Sequence, residues 1–241
     1  MNRRQLLSAG LVLPGLALPG VALAQTPPSE EEVRLRNDWP WLARYRDANT
    51  ADAALPPERR RCVFIGDSIT QGWKDARPGF FEANGFIGRG IGGQTTPQML
   101  LRFTPDVVAL KPAAVHILAG TNDIAGNTGP FDPVATRNNL SAMVALAKAA
   151  GIRVILGAIT PAAIYPWKPA LHPDVEIPRL NAWIRAFAAE HGCVFADYTA
   201  VMDDGRAGMK PGLAYDQVHP TQDGYAVMEP VALTAVKAAL G

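Results

Sequence analysis

Five short apolar runs recur along this chain, at residues 62–65, 86–89, 114–118, 154–158 and 194–197, and they constrain its fold more than any other feature. They are rich in valine and isoleucine and are unbroken rather than alternating, the pattern of strands buried on both faces. Helical stretches lie between them, near 98–103, 105–110, 134–150 and 177–191, and a last helix spans 222–240. The stretch 134–150 sets Leu140, Val144 and Ala147 on one face, with Gly151 as a stop; Gly192 does the same after His191. Strands joined by helices imply right-handed crossovers and a parallel sheet covered on both sides. The expected architecture is a three-layer α/β/α sandwich with five strands in the order 2-1-3-4-5. In such a sheet the site lies beyond the carboxyl ends of the strands, at the switch point between the first and third. That rule brings residues 66–68, 92–93 and 120–122 to one rim.

The N-terminus reads as an address rather than as part of this core. Arg3 and Arg4 precede an apolar run over 6–23, and Ala22-Leu23-Ala24 offers small residues where a signal peptidase reads. Residues 1–24 are therefore expected to be an export signal cleaved before Gln25, by a twin-arginine or a general secretory route. A retained anchor is the alternative, but Pro14, Pro19 and several glycines interrupt the run. Removing the signal takes away two arginines and turns the formal charge from +1 to −1. Such a balance gives no basic excess for nucleic acid. No later run is long enough to span a bilayer, so no stable membrane insertion is expected of a mature protein in the periplasm or outside the cell. Residues 25–60 form an N-terminal extension, with Asp38 capping a short helix to about Asn49 and a linker over 51–61. Residues 61–241 form the main domain.

Export raises the question of a disulfide between Cys62 and Cys193. Three strand spacings of about 4.8 Å would separate them, roughly 14 Å, whereas a bridge needs Cα atoms within about 7 Å. Two separate, buried thiols are expected.

Four segments carry residues suited to acyl-transfer chemistry. The first strand runs into Gly66-Asp67-Ser68-Ile69-Thr70, which sets a hydroxyl and an outward N–H at a helix start. Taken alone, Ser68 reads first as a helix cap. It also lacks the Gly-x-Ser-x-Gly elbow of the α/β-hydrolases. Near the C-terminus stands Asp216-Gln217-Val218-His219-Pro220. A serine hydroxyl needs a base, and the base needs a group that fixes its tautomer; Asp216 and His219 are spaced to pair, though a surface loop capping the last helix has the same form. Ile91-Gly92-Gly93-Gln94-Thr95 and Gly120-Thr121-Asn122-Asp123 offer a backbone N–H and a side-chain N–H for a developing oxyanion, or else an ordinary glycine turn and an Asn/Asp turn. Their joint placement at one rim favours the chemical reading. His116 lies within a strand and His191 ends a helix, both structural placements, while His172 in a Pro-rich loop is a candidate for the site border. No histidine pair has zinc-ligand spacing, and the chemistry calls for no metal or cofactor.

In their chain order these four segments resemble the sequence blocks of the SGNH (GDSL-like) hydrolase superfamily, over residues 61 to the C-terminus. The resemblance implies the flavodoxin-like SGNH fold. It also implies Ser68 as nucleophile, Asp216 and His219 as its partners, and an oxyanion hole of the Ser68 N–H, the Gly93 N–H and the Asn122 side chain. Gly90-Ile91-Gly92-Gly93-Gln94-Thr95-Thr96 and Leu101-Arg102-Phe103 look most like the branch of the platelet-activating-factor acetylhydrolase catalytic subunits, whose bacterial relatives include carbohydrate acetylesterases and lysophospholipase-like proteins. The expected substrate is a small ester or an O-acetylated glycan, with a lysophospholipid as rival. An acyltransferase or a non-catalytic carbohydrate-binding protein on the same fold are the alternatives. Asp67, Trp73 and Trp167 are expected at the substrate, the tryptophans by stacking on a sugar or lining an acyl slot, unless they pack against the protein.

Overall fold

The computed structural model describes residues 27–241; the expected export signal over 1–24 and its cleavage site lie outside them. The strands are β1 (Cys62–Gly66), β2 (Phe86–Gly90), β3 (Ala114–Leu118), β4 (Arg153–Gly157) and β5 (Val194–Ala196). They form a parallel sheet in the order β2-β1-β3-β4-β5, as expected. The helices are α1 (Glu30–Asn37), α2 (Arg46–Ala53), α3 (Ser68–Ala76), α4 (Pro78–Asn84), α5 (Thr96–Asp106), α6 (Thr121–Ile124), α7 (Pro133–Ala149), α8 (Pro173–Glu190), α9 (Thr199–Met202) and α10 (Gln222–Leu240).

Successive strand residues point to opposite faces, so each apolar run feeds two cores. On one side Val63, Ile65, Val115, Ile117, Val154 and Leu156 pack with Met99 and Phe103 of α5, Leu140 and Val144 of α7, and Leu180 and Ile184 of α8. On the other, Cys62, Phe64, Leu118 and Ile155 pack with Ile69 and Trp73 of α3 and Tyr225 and Met228 of α10. His116 is fully buried in this second layer, stacked on Phe64, with Nε2 2.7 Å from the Tyr198 hydroxyl. Burial lowers its pKa from 6.5 to about 3.

Several local expectations are corrected. The helices expected at 98–103 and 105–110 are α5 followed by a 3-10 turn, Val108–Leu110. A Thr95–Gln98 capping box starts α5 early. Pro105 falls in its last turn, where a missing N–H forfeits a single bond. α8 starts at Pro173 rather than 177, since proline is suited to a first helical position. The single helix expected from Asp38 is a 3-10 turn, Leu42–Tyr45, leading into α2. Asp38 still caps it, accepting from the Leu42 N–H at 2.7 Å and the Ala43 N–H at 2.9 Å. α1, closed by a Ser29–Glu32 capping box, was not expected in the polar stretch before it. Cys62 and Cys193 are separate free thiols, but Cys193 is only half-buried. It precedes β5, an edge strand with a neighbour on one side only. Among the described residues no helix is long and apolar enough to cross a membrane.

Candidate active site

The parallel register aligns Gly66 with Gly90 on one side and with Leu118 on the other, so β1, β2 and β3 end at one level. Ser68 lies two residues past its strand end, Gly93 three and Asn122 four. Gly66 makes the first of these turns possible: a Cβ there would stand 2.1 Å from the Thr70 hydroxyl and 2.7 Å from the Leu118 carbonyl oxygen. The chain can therefore pass directly from β1 into α3.

Asp67, not Ser68, caps α3. Its Oδ1 accepts the Ile69 N–H at 2.9 Å, which leaves the serine hydroxyl free. Asp67 is buried, and burial pushes its carboxyl up to about 6 despite that N–H bond. The expectation that Asp67 meets substrate is thus corrected, because its carboxylate is turned into the protein to hold the helix start.

Ser68 Oγ lies 3.0 Å from His219 Nε2, and His219 Nδ1 lies 2.6 Å from Asp216 Oδ2. The other carboxylate oxygen of Asp216 accepts the backbone N–H groups of His219 at 2.7 Å and Val218 at 3.1 Å. This turn needs Gln217 in the left-handed region, at φ 72°. Partial burial pushes the Asp216 carboxyl up. The N–H bonds from His219 and Val218 and the nearby imidazole outweigh it, and its pKa falls below the ordinary carboxylate value.

Three candidate donors lie at the ends of β1, β2 and β3. The Ser68 N–H opens α3, and the Gly93 N–H belongs to a residue at φ 76° that only glycine adopts without strain. Neither makes a hydrogen bond within the described residues. Asn122, buried at the start of α6, donates one Nδ2 hydrogen to the Gln94 carbonyl at 3.0 Å. Its Oδ1 accepts from Asn127 Nδ2 at 3.0 Å, which fixes the amide orientation and leaves the second Nδ2 hydrogen without a partner among the described residues. Asn127, which also donates to the Gly93 carbonyl at 3.1 Å, escaped the sequence reading because it lies in a turn with no motif.

The two tryptophans separate. Trp73 is 0% exposed, stacked on Tyr225 at 5.9 Å and on Phe80 at 5.5 Å, with Phe64 edge-on. It is core, and the expectation of a substrate contact is corrected: five residues after Ser68 in a helix, its side chain turns under the sheet rather than over the rim. Trp167 is 46% exposed and stands 6.0 Å from the His219 ring. It stacks at 5.5 Å on buried Tyr165, whose hydroxyl bonds Thr121 of α6. Lys168 Nζ donates to the Ala125 carbonyl at 2.6 Å, pinning the same loop. Tyr215, which lies in no motif, is 71% exposed and stacks on His219 at 5.6 Å. His172 is exposed and faces Asp174 at 3.7 Å instead of the serine. Among the described residues no group of three His, Cys, Asp or Glu is placed to hold a metal ion.

A family model described as GDSL-like lipase/acylhydrolase matches residues 64–227. Among solved structures the chain is similar to a candidate acylhydrolase from Bacteroides fragilis, 43% identical over 85% of this chain and 99% of that one, with a TM-score of 0.80. It is similar also to a GDSL-like lipase from Bacteroides thetaiotaomicron, 42% identical over 83% and 100%, with a TM-score of 0.76. An acetylxylan esterase from Geobacillus stearothermophilus, solved as a catalytic mutant, shares the fold at 22% identity, covering 73% of this chain and 93% of its own, with a TM-score of 0.59. No curated protein matches the chain.

Proposed function

The chain belongs to the GDSL-like lipase/acylhydrolase family and is a carboxylic ester hydrolase; on that premise we propose that Ser68 is its nucleophile, His219 the base and Asp216 the carboxylate that orients the base. The observation that carries this reading is the continuous relay from Ser68 Oγ through His219 to Asp216, at 3.0 and 2.6 Å. Ser68 Oγ adds to the ester carbonyl as its proton passes to His219 Nε2. The oxyanion rests on the Ser68 and Gly93 N–H groups and the Asn122 amide. His219 then gives the proton to the leaving alkoxide, and the ester C–O bond breaks to leave an acyl-serine. Water, deprotonated by the same imidazole, adds to that acyl group, and Ser68 departs with the proton restored.

The acyl group in this reading is short, acetyl first, on a polar alcohol such as a glycan. Support comes from the openness of the rim: Gly92 and Gly93 are exposed, and Trp167 and Tyr215 keep exposed ring surface beside His219. Such faces suit a flat sugar better than a sequestered alkyl chain. The basic, apolar and small-residue pattern of residues 1–24 supports export, so the substrate is sought outside the cytoplasm. The test is hydrolysis of p-nitrophenyl esters of graded chain length. A preference for acetate over decanoate of about tenfold, or about 1.4 kcal/mol, is expected; the reverse preference would overturn the short-acyl reading in favour of a lysophospholipid-like substrate.

A further inference from the structure

Residues 39–52 lie ahead of the block matched by the family model, yet their polar contacts converge on one place. The Pro40 carbonyl accepts from Gln94 Nε2 at 2.7 Å and the Trp39 carbonyl from Gln98 Nε2 at 3.0 Å. The Tyr45 hydroxyl donates to the Gly90 carbonyl at 2.5 Å. Asn49 bridges Asp106 at 2.7 Å and Arg89 at 2.8 Å, and Asp52 pairs with Arg89 at 2.5 Å. Every one of these partners sits in the end of β2, the loop after it, or α5.

Beneath that loop lies Arg102, with no exposed surface. Its guanidinium donates to Gln94 Oε1 at 2.6 Å, to the Gly66 carbonyl at 2.8 Å, to the Arg89 carbonyl at 2.9 Å and to Asp106 at 2.9 Å. Gln94 is therefore held at both ends of its amide, by Arg102 from below and by Pro40 from outside. Its backbone in turn follows Gly93 directly, and its carbonyl receives the Asn122 amide at 3.0 Å. Gln94 thus adjoins one proposed oxyanion donor in the chain and accepts from another through its backbone carbonyl, while its own side chain is buried.

We propose that residues 39–52 are a positioning strap that acts through Gln94 to hold the Gly93 N–H and the Asn122 amide where the oxyanion forms. The inference rests on the oxyanion assignment above. Ile91 and Thr95 anchor the two ends of the loop over 91–95 in the core, and its exposed middle is held by Gln71 on the Gly92 N–H at 2.8 Å and Asn127 on the Gly93 carbonyl. Gly92 and Gly93 supply no side-chain packing, and glycine backbone is the least restricted. Donors aimed at a developing charge are useful only if they need not reorganise. The strap and Arg102 add to that restraint with hydrogen bonds to groups that would otherwise be unsatisfied.

The test uses the full chain, p-nitrophenyl acetate as probe, and two substitutions. Gln94→Met keeps the volume and removes both amide bonds. Gln94→Glu keeps an acceptor for Arg102 and loses the donor to Pro40, so it retains the buried contact and reports on the strap even if Gln94→Met does not fold. We expect kcat to fall about tenfold in Gln94→Met and about threefold in Gln94→Glu, with KM within about threefold. Added to Asn122→Ala, Gln94→Met should cost less than about threefold more, because its main target is already gone. Unchanged kcat in both single variants overturns the strap, as does a loss in the Asn122→Ala background as large as in the wild-type background. Ser68→Ala, run alongside, keeps the two readings apart: its inactivity beside fully active Gln94 variants would remove the strap and leave the serine mechanism standing, whereas activity in Ser68→Ala would remove the mechanism itself.

Discussion

The two walls of the site are built differently. On one side Ser68, Gly93 and Asn122 sit at the ends of β1, β2 and β3, and their supports, Asp67, Gln94 and Arg102, are buried and hydrogen-bonded. On the other side His219, Tyr215 and Trp167 ride on loops, and the Tyr215 and Trp167 rings are exposed. The contrast follows from what each wall must do. Charge that appears only in the transition state is stabilised best by donors already in place. A substrate of variable shape is met better by side chains that can adjust. His219 bridges the two, and it owes its orientation to the Asp216 turn rather than to the sheet.

That comparison can be broken at several points, and the largest effect is expected where the walls meet. Asp216→Asn should lower kcat about ten-thousandfold, since an amide cannot hold the imidazole in the productive tautomer; steady-state kinetics on p-nitrophenyl acetate would read it, and a loss below about tenfold would detach Asp216 from the mechanism. On the strand-end wall, Asn122→Ala should cost about 100- to 1000-fold in kcat, or roughly 2.7–4 kcal/mol, with little change in melting temperature. Deeper under that wall, His116 must stay neutral. Its folded pKa of about 3 lies below the 6.5 of the free side chain, so the unfolded chain takes up the proton first as the pH falls. Its contribution is present above pH 6.5 and is lost as the pH drops toward 3, by up to about 1.4 kcal/mol per pH unit. Asp67, raised to about 6, pulls in the opposite direction over part of that window. Denaturant unfolding of wild type against His116→Gln isolates the histidine, and a difference independent of pH would contradict it. The smallest effect belongs to the loop wall: Trp167→Ala or Tyr215→Ala should raise KM for an acetylated oligosaccharide about threefold to tenfold, with kcat for p-nitrophenyl acetate within about threefold.

The same contrast governs how much the sequence discloses. The sheet order was legible because buried parallel strands leave continuous apolar runs, and the rim followed from the order. Ser68, Gly93, Asn122, Asp216 and His219 stood out because each lies in a short local motif; hydrogen bonds join Ser68, His219 and Asp216, and Gly93 and Asn122 follow the two neighbouring strand ends. What escaped were contacts between residues far apart in the chain. Nothing local marks Asn127, Gln94 or Pro40 as partners. Trp73 and Trp167 look alike in sequence and differ only in which side of a helix or loop they leave from. Arg102 reads as a charged residue on a helix, and only the fold shows that it is fully buried among carbonyls.

The most direct test of the central claim is covalent capture of the nucleophile. The full chain and Ser68→Ala would be treated with a p-nitrophenyl alkylphosphonate, followed by intact mass and peptide mapping. The account predicts one phosphonyl group on Ser68 of the wild-type chain, none on the variant, and loss of ester hydrolysis in step with labelling. A label on another residue, or a Ser68→Ala chain that hydrolyses esters at the wild-type rate, would contradict it.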